Sequence, residues 1–564
     1  MSAPGFPVAL PAGLALRGDP LSPSSSGAAS RGRCVVAARA FPAGRTVARF
    51  DDSPAVVATP DTPRLAQTCS YCLAVGGDAA GAAAGPRLRA CTACRAARYC
   101  SVACQRADWR GAHGRGECSA LRRAAGSGAA EGPPRVLPTP VRALVQVLVR
   151  PAALAAVAGA MEGHAARVRA AAPDRWAAME LQARAALHYL GREAGPREVA
   201  EAVDVLCKLE VNSFNRFDAD FGQSGIYVNP ALAMVNHSCV PNAFVQFTGR
   251  AALLRAYRDI AEGEEIEISY IECAWPRPQR QQALRSRYFF DCACRRCADD
   301  LDVYQVCRAH PGLELNAFSL VPDPDALRHP PIQPPSDLLR RTIDDIYPAC
   351  SAPLQERDPA ERPGQLRRRW KMCAPLREAG LFAVEPLTQV LVDAGAYFAE
   401  QSNYAYSLAI ACFLALRSDP YREPMPFSGP RAKGMLMIAK LLALTASETS
   451  PASGGAGAAS LPARISQALS KMDQATMCQT VLAMVVHYFP DTYSKEWLVY
   501  RQARDLLDDL ESLPGRETEN ALVRAFAAKP SGPEEARFFE TAVLRPIQVL
   551  AQFALEGMDV DFDS

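Results

Sequence analysis

The feature that most constrains this chain is a group of eight potential metal ligands that lie within fifty residues of one another. They form four closely spaced pairs: Cys69-x2-Cys72, Cys91-x2-Cys94, Cys100-x3-Cys104 and His113-x4-Cys118. Such short spacings let both side chains of a pair reach one ion, and thiolate and imidazole are ligands that zinc prefers. Eight ligands fill two tetrahedral sites, so the pattern predicts two closed, structural zinc sites.

A second cysteine group, Cys292-x-Cys294-x2-Cys297, supplies three ligands and needs a fourth from elsewhere in the chain. The run Asn236-His237-Ser238-Cys239 offers one. The other cysteines have no metal-ligand spacing, and we interpret them as buried thiols: Cys34, Cys207, Cys273, Cys307, Cys350, Cys373, Cys412 and Cys478.

Targeting features are not evident in the sequence. Residues Met1 to Gly18 lack the charged start and continuous apolar middle of a signal peptide. The stretch that comes closest to a membrane span, Val141 to Met161, is interrupted by Arg142 and Arg150. We therefore expect the nucleus and the cytoplasm, which are reducing compartments where clustered cysteines bind zinc more often than they form disulfides.

The charge balance argues against a general affinity for nucleic acid or membranes. The chain has 62 basic and 60 acidic side chains, a formal net charge of +2. Arginines around the first cysteine group could form a local basic face that binds duplex DNA through its phosphates. A solvated surface is the simpler interpretation, so direct DNA binding is not expected.

Hydrophobic patterning divides the 564 residues into several segments. Residues 1–30 are rich in Pro, Ser, Gly and Ala, which favours disorder. Short β-type runs occur at 31–60 and 206–275, on either side of a stretch with helical periodicity at 137–205. Frequent prolines at about 300–375 predict a linker with short helices, and a helical pattern continues from about 380.

Several blocks of the sequence resemble the SET-and-MYND (SMYD) family of protein lysine methyltransferases, in the order in which the family has them. They are Arg31-Gly32-Arg33, Asp52-Ser53-Pro54, the first cysteine group with Tyr99-Cys100, Cys104-Gln105 and Trp109, Val211-Asn212-Ser213-Phe214, Asn236-His237-Ser238-Cys239, Gly263-Glu264-Glu265 with Ser269-Tyr270, and Tyr288-Phe289-Phe290-Asp291-Cys292. The resemblance covers about residues 30–300. Its most specific part is the Asn-His-Ser-Cys run that Pro241-Asn242 follows.

The resemblance implies an α+β multidomain architecture. A SET β-fold would be interrupted by a MYND zinc finger and a helical insert, and followed by a post-SET zinc site and an α-helical C-terminal domain. The expected segments are a disordered N-terminus (1–30), the N-terminal part of the SET domain (31–66), the MYND finger (67–119), the helical insert (120–205), the SET core (206–275), the post-SET segment (276–300), a proline-rich linker (301–380) and the helical C-terminal domain (381–564).

Three structural zinc ions are implied by the resemblance, with interleaved ligands in the finger. The implied sets are Cys69, Cys72, Cys100 and Cys104; Cys91, Cys94, His113 and Cys118; and Cys239, Cys292, Cys294 and Cys297. One departure concerns the second set. The family usually shows Trp-x2-His-x3-Cys, whereas this chain has Trp109-x3-His113-x4-Cys118. The backbone freedom of Gly111, Gly114 and Gly116 could absorb the extra residues.

The resemblance also implies that S-adenosylmethionine is the methyl donor. The residues expected to contact this cofactor are Arg31, Gly32, Arg33, Asn212, Asn236, His237 and Phe290. Tyr270 is the expected catalytic tyrosine, and Phe214 and Tyr288 are expected to line an aromatic channel for the target lysine.

The implied function is methylation of lysine side chains in histone or non-histone proteins, as a chromatin regulator of transcription. Besides the protein substrate, we expect proline-rich partners at the finger, a monomer, and no membrane attachment. Two departures motivate an alternative function. Cys34 stands where the family has a second glycine, and Ala233 where it often has serine. The alternative is a catalytically weak or inactive adaptor that recruits partners through the finger and the C-terminal helices.

Overall fold

The computed structural model describes residues 9–17, 33–51, 55–76, 86–126, 136–217, 223–310, 320, 324–329, 332–354, 359–425, 427–448, 460–488 and 498–562. Backbone contacts divide the chain into two units. The first unit comprises Met1–Tyr270 and Gln282–Cys292, and the second comprises Ile271–Gln281 and Ala293–Ser564. The first cysteine group and the runs around Asn236 and Tyr270 therefore belong to the same unit.

All strands of the described residues lie in the first unit. In chain order they are β1 (Leu14–Arg17), β2 (Cys34–Ala37), β3 (Thr46–Phe50), β4 (Val57–Pro60), β5 (Arg89–Ala90), β6 (Arg98–Tyr99), β7 (Phe214–Phe217), β8 (Gln223–Val228), β9 (Asn236–His237), β10 (Ala243–Thr248), β11 (Ala251–Ala256) and β12 (Glu267–Ile268). Five small sheets result, ordered β1-β2, β10-β11-β3, β12-β9, β4-β8-β7 and β5-β6.

The central strand of the three-stranded sheet β10-β11-β3 is buried along its whole length. Its sequence, Ala-Ala-Leu-Leu-Arg-Ala, lacks the polar–apolar alternation of a half-exposed strand, which is typical of a strand covered on both faces. Its one charged residue, Arg255, is buried and donates hydrogen bonds to Gln246 Oε1 (2.6 Å) and Thr46 Oγ1 (3.2 Å). The guanidinium is thus paired rather than left uncompensated in the core.

The pairing that matters most for the site joins β9 and β12. These two short strands run parallel, with Asn236 opposite Glu267 and His237 opposite Ile268. Behind them lies an apolar core that includes Phe41, Phe50, Leu232, Leu254 and Ile266. The strand pair places the two segments that carry the most specific motif residues side by side.

The helices of the first unit begin within the cysteine-rich segment. They are α1 (Val102–Asp108), α2 (Cys118–Gly126), α3 (Thr139–Leu148), α4 (Pro151–Ala160), α5 (Ala165–Ala171), α6 (Pro173–Leu190) and α7 (Pro196–Asn212). Helix α3 buries every residue from Val141 to Val147 and packs against α6, α7 and β4. Its apolar sequence is therefore that of a central core helix.

The second unit is helical throughout its described residues. After α8 (Arg277–Tyr288), which begins in the second unit and ends in the first, its helices are α9 (Arg295–Ala298), α10 (Val303–Ala309), α11 (Pro324–Arg328), α12 (Asp337–Ser351), α13 (Arg362–Met372), α14 (Ala374–Glu378), α15 (Leu387–Glu400), α16 (Tyr404–Arg417), α17 (Asp419–Arg422), α18 (Gly429–Glu448), α19 (Leu461–Ser470), α20 (Gln474–Tyr488), α21 (Leu498–Glu511), α22 (Glu517–Ala528), α23 (Pro533–Phe539), α24 (Arg545–Ala551) and α25 (Phe553–Phe562).

Helix α16 is the centre of this second unit. It packs against α15, α18, α24 and α25, and its side chains Leu408, Ile410, Cys412 and Phe413 are buried. Side-chain caps begin two of the earlier helices, because Asp302 accepts from the Gln305 backbone N–H and Ser336 accepts from that of Leu339.

One expectation from the sequence needs correction. Within the N-terminus that composition marks as disordered, Leu14–Arg17 form β1 and pair with β2. The proline-rich segment 301–380 contains helices, as expected, and among them α12 and α13, of 15 and 11 residues, pack against α15. In both places partner segments supply stabilising contacts that local composition does not reveal.

Among the described residues, no single helix has the length and apolarity to cross a membrane. Helices α3 and α4 would meet these criteria only as a pair, and the chain bends by 107° between them.

Candidate zinc clusters and cofactor site

The sulfur atoms of Cys69, Cys72, Cys100 and Cys104 all lie within 4.8 Å of one another. Cys100 Sγ is 3.5 Å from both Cys72 Sγ and Cys104 Sγ. Local structure fixes the set, because β6 ends directly before Cys100 and Ser101 caps α1 by accepting from the Cys104 N–H at 3.1 Å. Four convergent thiols at this spacing are the donor set of a tetrahedral zinc site.

The second cluster combines Cys91, Cys94, His113 and Cys118, whose ligand atoms also lie within 4.8 Å of one another. His113 Nε2 is 3.5 Å from Cys91 Sγ and 3.8 Å from Cys94 Sγ, and Cys91 Sγ is 3.9 Å from Cys118 Sγ. All four residues are buried. The two clusters therefore have the interleaved membership that the resemblance implies.

The extra residues around His113 are accommodated by its glycines. Trp109–Glu117 form a widened helical segment that leaves helical geometry at Gly111 and again at Gly116, where φ is +154°. A Cβ atom at Gly116 would lie 2.8 Å from Val149 Cγ1, and one at Gly114 would lie 2.3 Å from Trp109 O. Both positions therefore require glycine, and the longer spacing still brings His113 to the cluster.

Behind His113 lies a group of buried polar residues that the sequence analysis missed. Glu117 Oε2 is 3.2 Å from His113 Nδ1, and Gln146 Nε2 donates to Glu117 Oε1 at 2.8 Å. Nearby, the Tyr99 hydroxyl donates to Asp108 Oδ2 at 2.8 Å. Burial raises the pKa of Asp108 to about 7. A glutamate that directly precedes the last cysteine of the group was the only available signal.

Burial and hydrogen bonding also shift the pKa of His113. Burial disfavours the charged imidazole of His113, but hydrogen bonds to Cys94 and Glu117 outweigh this effect and raise its pKa to about 12. The metal-free imidazole therefore favours holding a second proton, on Nε2. A zinc ion would have to displace that proton, so metal binding would release a proton and depend on pH.

The third predicted set is divided between the two units. Cys239 and Cys292 belong to the first unit, where their sulfur atoms are 4.0 Å apart. Cys294 and Cys297 belong to the second unit, where the Cys297 N–H donates to the Cys294 carbonyl at 2.8 Å and begins α9. Cys239 and Cys292 are thus close in space within the first unit. Cys294 and Cys297 are close in sequence within the second unit.

Tyr270 follows β12 and lies against His237 of β9, with ring centres 5.2 Å apart. Its hydroxyl donates to the Val235 carbonyl at 2.6 Å, and its backbone N–H donates to His237 Nδ1 at 3.0 Å. The parallel strand pair thus joins the Asn-His run to the tyrosine. Hydroxyl and backbone of Tyr270 are both held in fixed directions.

The tautomer of His237 follows from its two partners. Nδ1 accepts from the Tyr270 backbone, so the ring proton is on Nε2, which faces Cys239 Sγ at 3.3 Å. The residue is buried. With both ring nitrogens bonded to protein atoms, only the backbone of His237 is available to a cofactor, which refines its expected role.

An aromatic group surrounds Tyr270. The ring of Tyr288 lies 4.8 Å from that of Tyr270, and the ring of Phe290 lies 6.5 Å from Tyr288 and 6.1 Å from His237. Burial raises the pKa of Tyr288. Phe214 lies at the start of β7, and Arg287 ties the residue before it to α8 by donating to the Ser213 carbonyl at 2.8 Å.

The remaining predicted cofactor residues connect to one another through the turn 160–164. Asn236 Nδ2 donates to the Arg33 carbonyl at 3.2 Å, and Arg33 Nη2 lies 3.5 Å from the Ala160 carbonyl. Asn212 Nδ2 donates to the Glu162 carbonyl at 2.8 Å. Arg31, Gly32 and the block Asp52-Ser53-Pro54 lie outside the described residues.

The sequence analysis did not single out Glu162, Gly163 and His164, which lie at this turn. The Glu162 side chain accepts from the backbone N–H groups of Gly163 and His164, at 3.0 and 2.8 Å. The His164 ring lies 5.2 Å from Phe289, and both residues have positive φ, of 54° and 59°. The hydrogen bond from the His164 N–H is the main cause that lowers the pKa of Glu162. No sequence motif marks these positions, because residues 160–164 and Phe289 are far apart in the sequence and come together only in the folded chain.

The two departures from the family pattern have different surroundings. Cys34 begins β2, is buried, and places its sulfur 3.5 Å from the Arg17 carbonyl on β1. Ala233 lies in a short helical turn, Leu232–Met234, which Asn229 holds by accepting from the backbone N–H groups of Ala231 and Leu232. Cys34 thus lies in a paired strand and Ala233 in a turn that Asn229 holds.

Comparison with known proteins identifies a SET domain match and several similar proteins. Residues 32–271 match the SET domain model. The chain is 32% identical over 240 residues to the SET domain and MYND-type zinc finger protein 6 of Schizosaccharomyces pombe, covering 43% of this chain and 45% of that protein.

Two human relatives are similar at slightly lower identity. The N-lysine methyltransferase SMYD2 is 29% identical over 247 residues, covering 43% of this chain and 53% of the relative. The histone-lysine N-methyltransferase SMYD3 is 29% identical over 228 residues, covering 37% and 49%. The chain thus spans about half the length of the curated relatives it matches.

Proposed function

We propose that the protein is a member of the SET-and-MYND family and a methyltransferase that transfers methyl groups from S-adenosylmethionine to lysine side chains of proteins, since residues 32–271 match the SET domain model. The observation that carries this proposal is the junction of β9 and β12, where Tyr270, His237 and Asn236 converge. The relatives named as lysine methyltransferases support the same reaction.

The chemical task for this chain is to present a neutral amine. A lysine has a pKa of about 10.4, so deprotonating it near pH 7.4 costs roughly 4 kcal/mol. The aromatic group around Tyr270 and Tyr288 offers an apolar wall, which disfavours the ammonium form. Because the Tyr270 hydroxyl donates to Val235 O, its oxygen lone pairs remain available to orient polar groups of the reactants.

The residues around the turn 160–164 fit the methyl donor. S-adenosylmethionine supplies a methyl group on a positively charged sulfonium, beside an ammonium and a carboxylate. Carbonyl oxygens, the Asn236 and Asn212 amides, the Arg33 guanidinium and the Glu162 carboxylate together offer acceptors and donors for such groups. We propose that Arg31, Gly32, Arg33, Asn212, Asn236, Phe290 and the backbone of His237 hold the cofactor.

We further propose three structural zinc ions. Sulfur and nitrogen ligands within 4.8 Å of one another support the two finger sites, one with four thiols and one with three thiols and His113. The third would be completed by Cys294 and Cys297 together with Cys239 and Cys292. In this arrangement the MYND finger occupies 67–119, the insert 120–205, and the SET core 206–275 between the finger and the post-SET segment 276–300.

Methyl transfer from labelled S-adenosylmethionine to histones and to cell extract tests the proposal. We expect transfer by the zinc-replete protein, and a fall in kcat of about 10²- to 10³-fold for Tyr270→Phe, the size typical of removing one oriented hydroxyl. Tyr404→Phe, at the start of α16 in the second unit, is the matched control and should keep activity. If folded, zinc-replete protein neither binds the donor nor transfers the methyl group, the proposal is wrong.

Cellular role and partners extend the proposal. We propose a monomer in the nucleus and cytoplasm that acts on histone or non-histone proteins in transcription, recruits proline-rich proteins through the finger, and does not bind DNA directly. Imaging of the tagged protein and sedimentation at micromolar concentration test the first two points. A cellular function that survives Tyr270→Phe would instead favour the adaptor alternative.

A further inference from the structure

Glu117 is a carboxylate buried inside the first unit, with only 5% of its surface exposed. Both of its oxygens are engaged, Oε2 with His113 Nδ1 at 3.2 Å and Oε1 with Gln146 Nε2 at 2.8 Å. Burying an ionised carboxylate is costly unless positive or strongly polarised donors surround it. The interactions of Glu117 with its two partners, His113 and Gln146, explain why a carboxylate is buried here.

The first partner is the imidazole of the second cysteine cluster. His113 directs Nε2 at Cys91 and Cys94, and directs Nδ1 at Glu117. A carboxylate can only accept, so Nδ1 carries a proton, and Nε2 is the nitrogen that would present its lone pair to a bound zinc ion. Carboxylates in this position orient a metal-ligating histidine and increase its basicity.

The second partner belongs to a different part of the fold. Gln146 lies on α3, one turn from Arg142, which donates to Thr59 Oγ1 at 2.8 Å and to the Pro60 carbonyl of β4. Gln146 thus donates to Glu117 from the same helix whose Arg142 side chain bonds β4. The carboxylate therefore connects the finger to the helix that holds a SET strand.

This chain has a particular need for such a support. The segment that carries His113 is longer than in the family pattern and contains Gly111, Gly114 and Gly116, which restrict the backbone least. Backbone geometry alone would fix the imidazole poorly. The Glu117 carboxylate restrains the orientation of the His113 ring. It is itself held by Gln146 of α3, a helix that is buried along most of its length.

We propose that Glu117 is a positioning residue for zinc, which holds His113 with Nε2 toward Cys91, Cys94 and Cys118 and fastens this cluster to α3 through Gln146. The inference rests on the proposed zinc at the second cluster. It assigns to Glu117 a role in retaining one particular ion, while the four-thiol cluster is held without it.

Zinc release to a chromogenic chelator from the full chain tests the assignment. We expect Glu117→Gln to release one zinc per chain about 10- to 100-fold faster than wild type, the usual effect of removing a partner of a ligating histidine. The other zinc ions should leave at the wild-type rate. Glu193→Gln, an exposed carboxylate of the same unit, is the matched control and should behave as wild type.

A second variant keeps the test sound if Glu117→Gln perturbs folding. Gln146→Met leaves the carboxylate and imidazole in place and removes only the bond to Oε1, so a smaller acceleration in the same direction is expected. Cobalt substitution gives an independent readout, because the absorption of a three-sulfur, one-nitrogen site should weaken in Glu117→Gln while that of the four-sulfur site persists.

The outcomes separate the two proposals. If Cys91→Ser removes no zinc from the protein, the second cluster holds none and the proposed zinc site is wrong. If Cys91→Ser removes one zinc, yet Glu117→Gln and Gln146→Met both release it as slowly as Glu193→Gln, the positioning role of Glu117 is overturned.

Discussion

Arg142 joins two parts of the first unit through bonds that can be removed one residue at a time. Its side chain is 2% exposed and donates to the Leu137 carbonyl at 3.1 Å, to Thr59 Oγ1 at 2.8 Å and to the Pro60 carbonyl. The substitution Arg142→Met keeps much of the volume and removes all of these donors. It also removes a positive charge that attracts Glu117.

The expected cost follows from the groups left behind. Each buried acceptor that loses its donor costs about 1–3 kcal/mol, and at least two carbonyl oxygens and one hydroxyl are affected. Relief from desolvating the guanidinium offsets part of this sum, since burial lowers the pKa of Arg142 and so disfavours its charge. Breaking a buried ionic network typically leaves a net loss of about 3–5 kcal/mol, and we expect Arg142→Met to fall in that range.

Hydrogen exchange followed by mass spectrometry measures this loss locally, which is useful because two units need not unfold together. A loss of 3–5 kcal/mol corresponds to amide exchange roughly 10²- to 10⁴-fold faster. We expect this acceleration in peptides that cover β4 and α3, with no change in peptides from α16.

The matched control is Arg197→Met, an exposed arginine of α7 that forms an ion pair with Glu201 at 2.9 Å. An exposed pair of this kind contributes less than about 1 kcal/mol, so its exchange should stay near wild type. Equal exchange in Arg142→Met and Arg197→Met would refute the reasoning that Arg142 holds β4 on α3.

Three further predictions concern pH, metal and cofactor. Burial raises the pKa of Glu423 from 4.5 to about 7, so the folded protein keeps a proton that the unfolded chain loses first. The free energy of unfolding of the second unit should therefore fall by about 3 kcal/mol between pH 4.5 and 7, and urea titrations should show a smaller fall for Glu423→Gln. Removing the proposed zinc with a chelator should accelerate amide exchange in 86–118 before it affects α16, because the ligands of the second cluster lie in that range. Asn236→Ala should weaken binding of the methyl donor in calorimetry by about 1–3 kcal/mol, since it removes the amide that bonds the Arg33 carbonyl.

The metal clusters were the most predictable part of the chain, and the reason is local. Ligand pairs such as Cys69 and Cys72 share one turn, so their spacing already determines that both can reach one ion. The helical insert was likewise predictable, because α3, α6 and α7 carry continuous helical periodicity. In each case the signal and the structure occupy the same short stretch of sequence.

The missed features depend on contacts between distant segments. Gln146 reaches Glu117 across 29 positions, and His164 reaches Phe289 across a still larger separation. Strand β1 forms despite its proline- and serine-rich flanks because Leu14–Arg17 find β2 as a partner. Local propensity cannot report such pairings, because the stabilising burial exists only after both segments have met.

The same long-range contacts bear on whether the finger is a separate module. A module attached by a linker would bury its polar groups within itself, yet the buried Glu117 of the finger takes its second partner from α3. That helix holds β4, and β4 pairs with β8, whose own partner β7 begins at Phe214 of the expected lysine channel. An unbroken series of packed elements thus runs from the second cysteine cluster to the wall of the proposed channel. We therefore expect loss of the proposed zinc ion at this cluster to disturb the proposed channel, which a finger that serves only as an adaptor would not require.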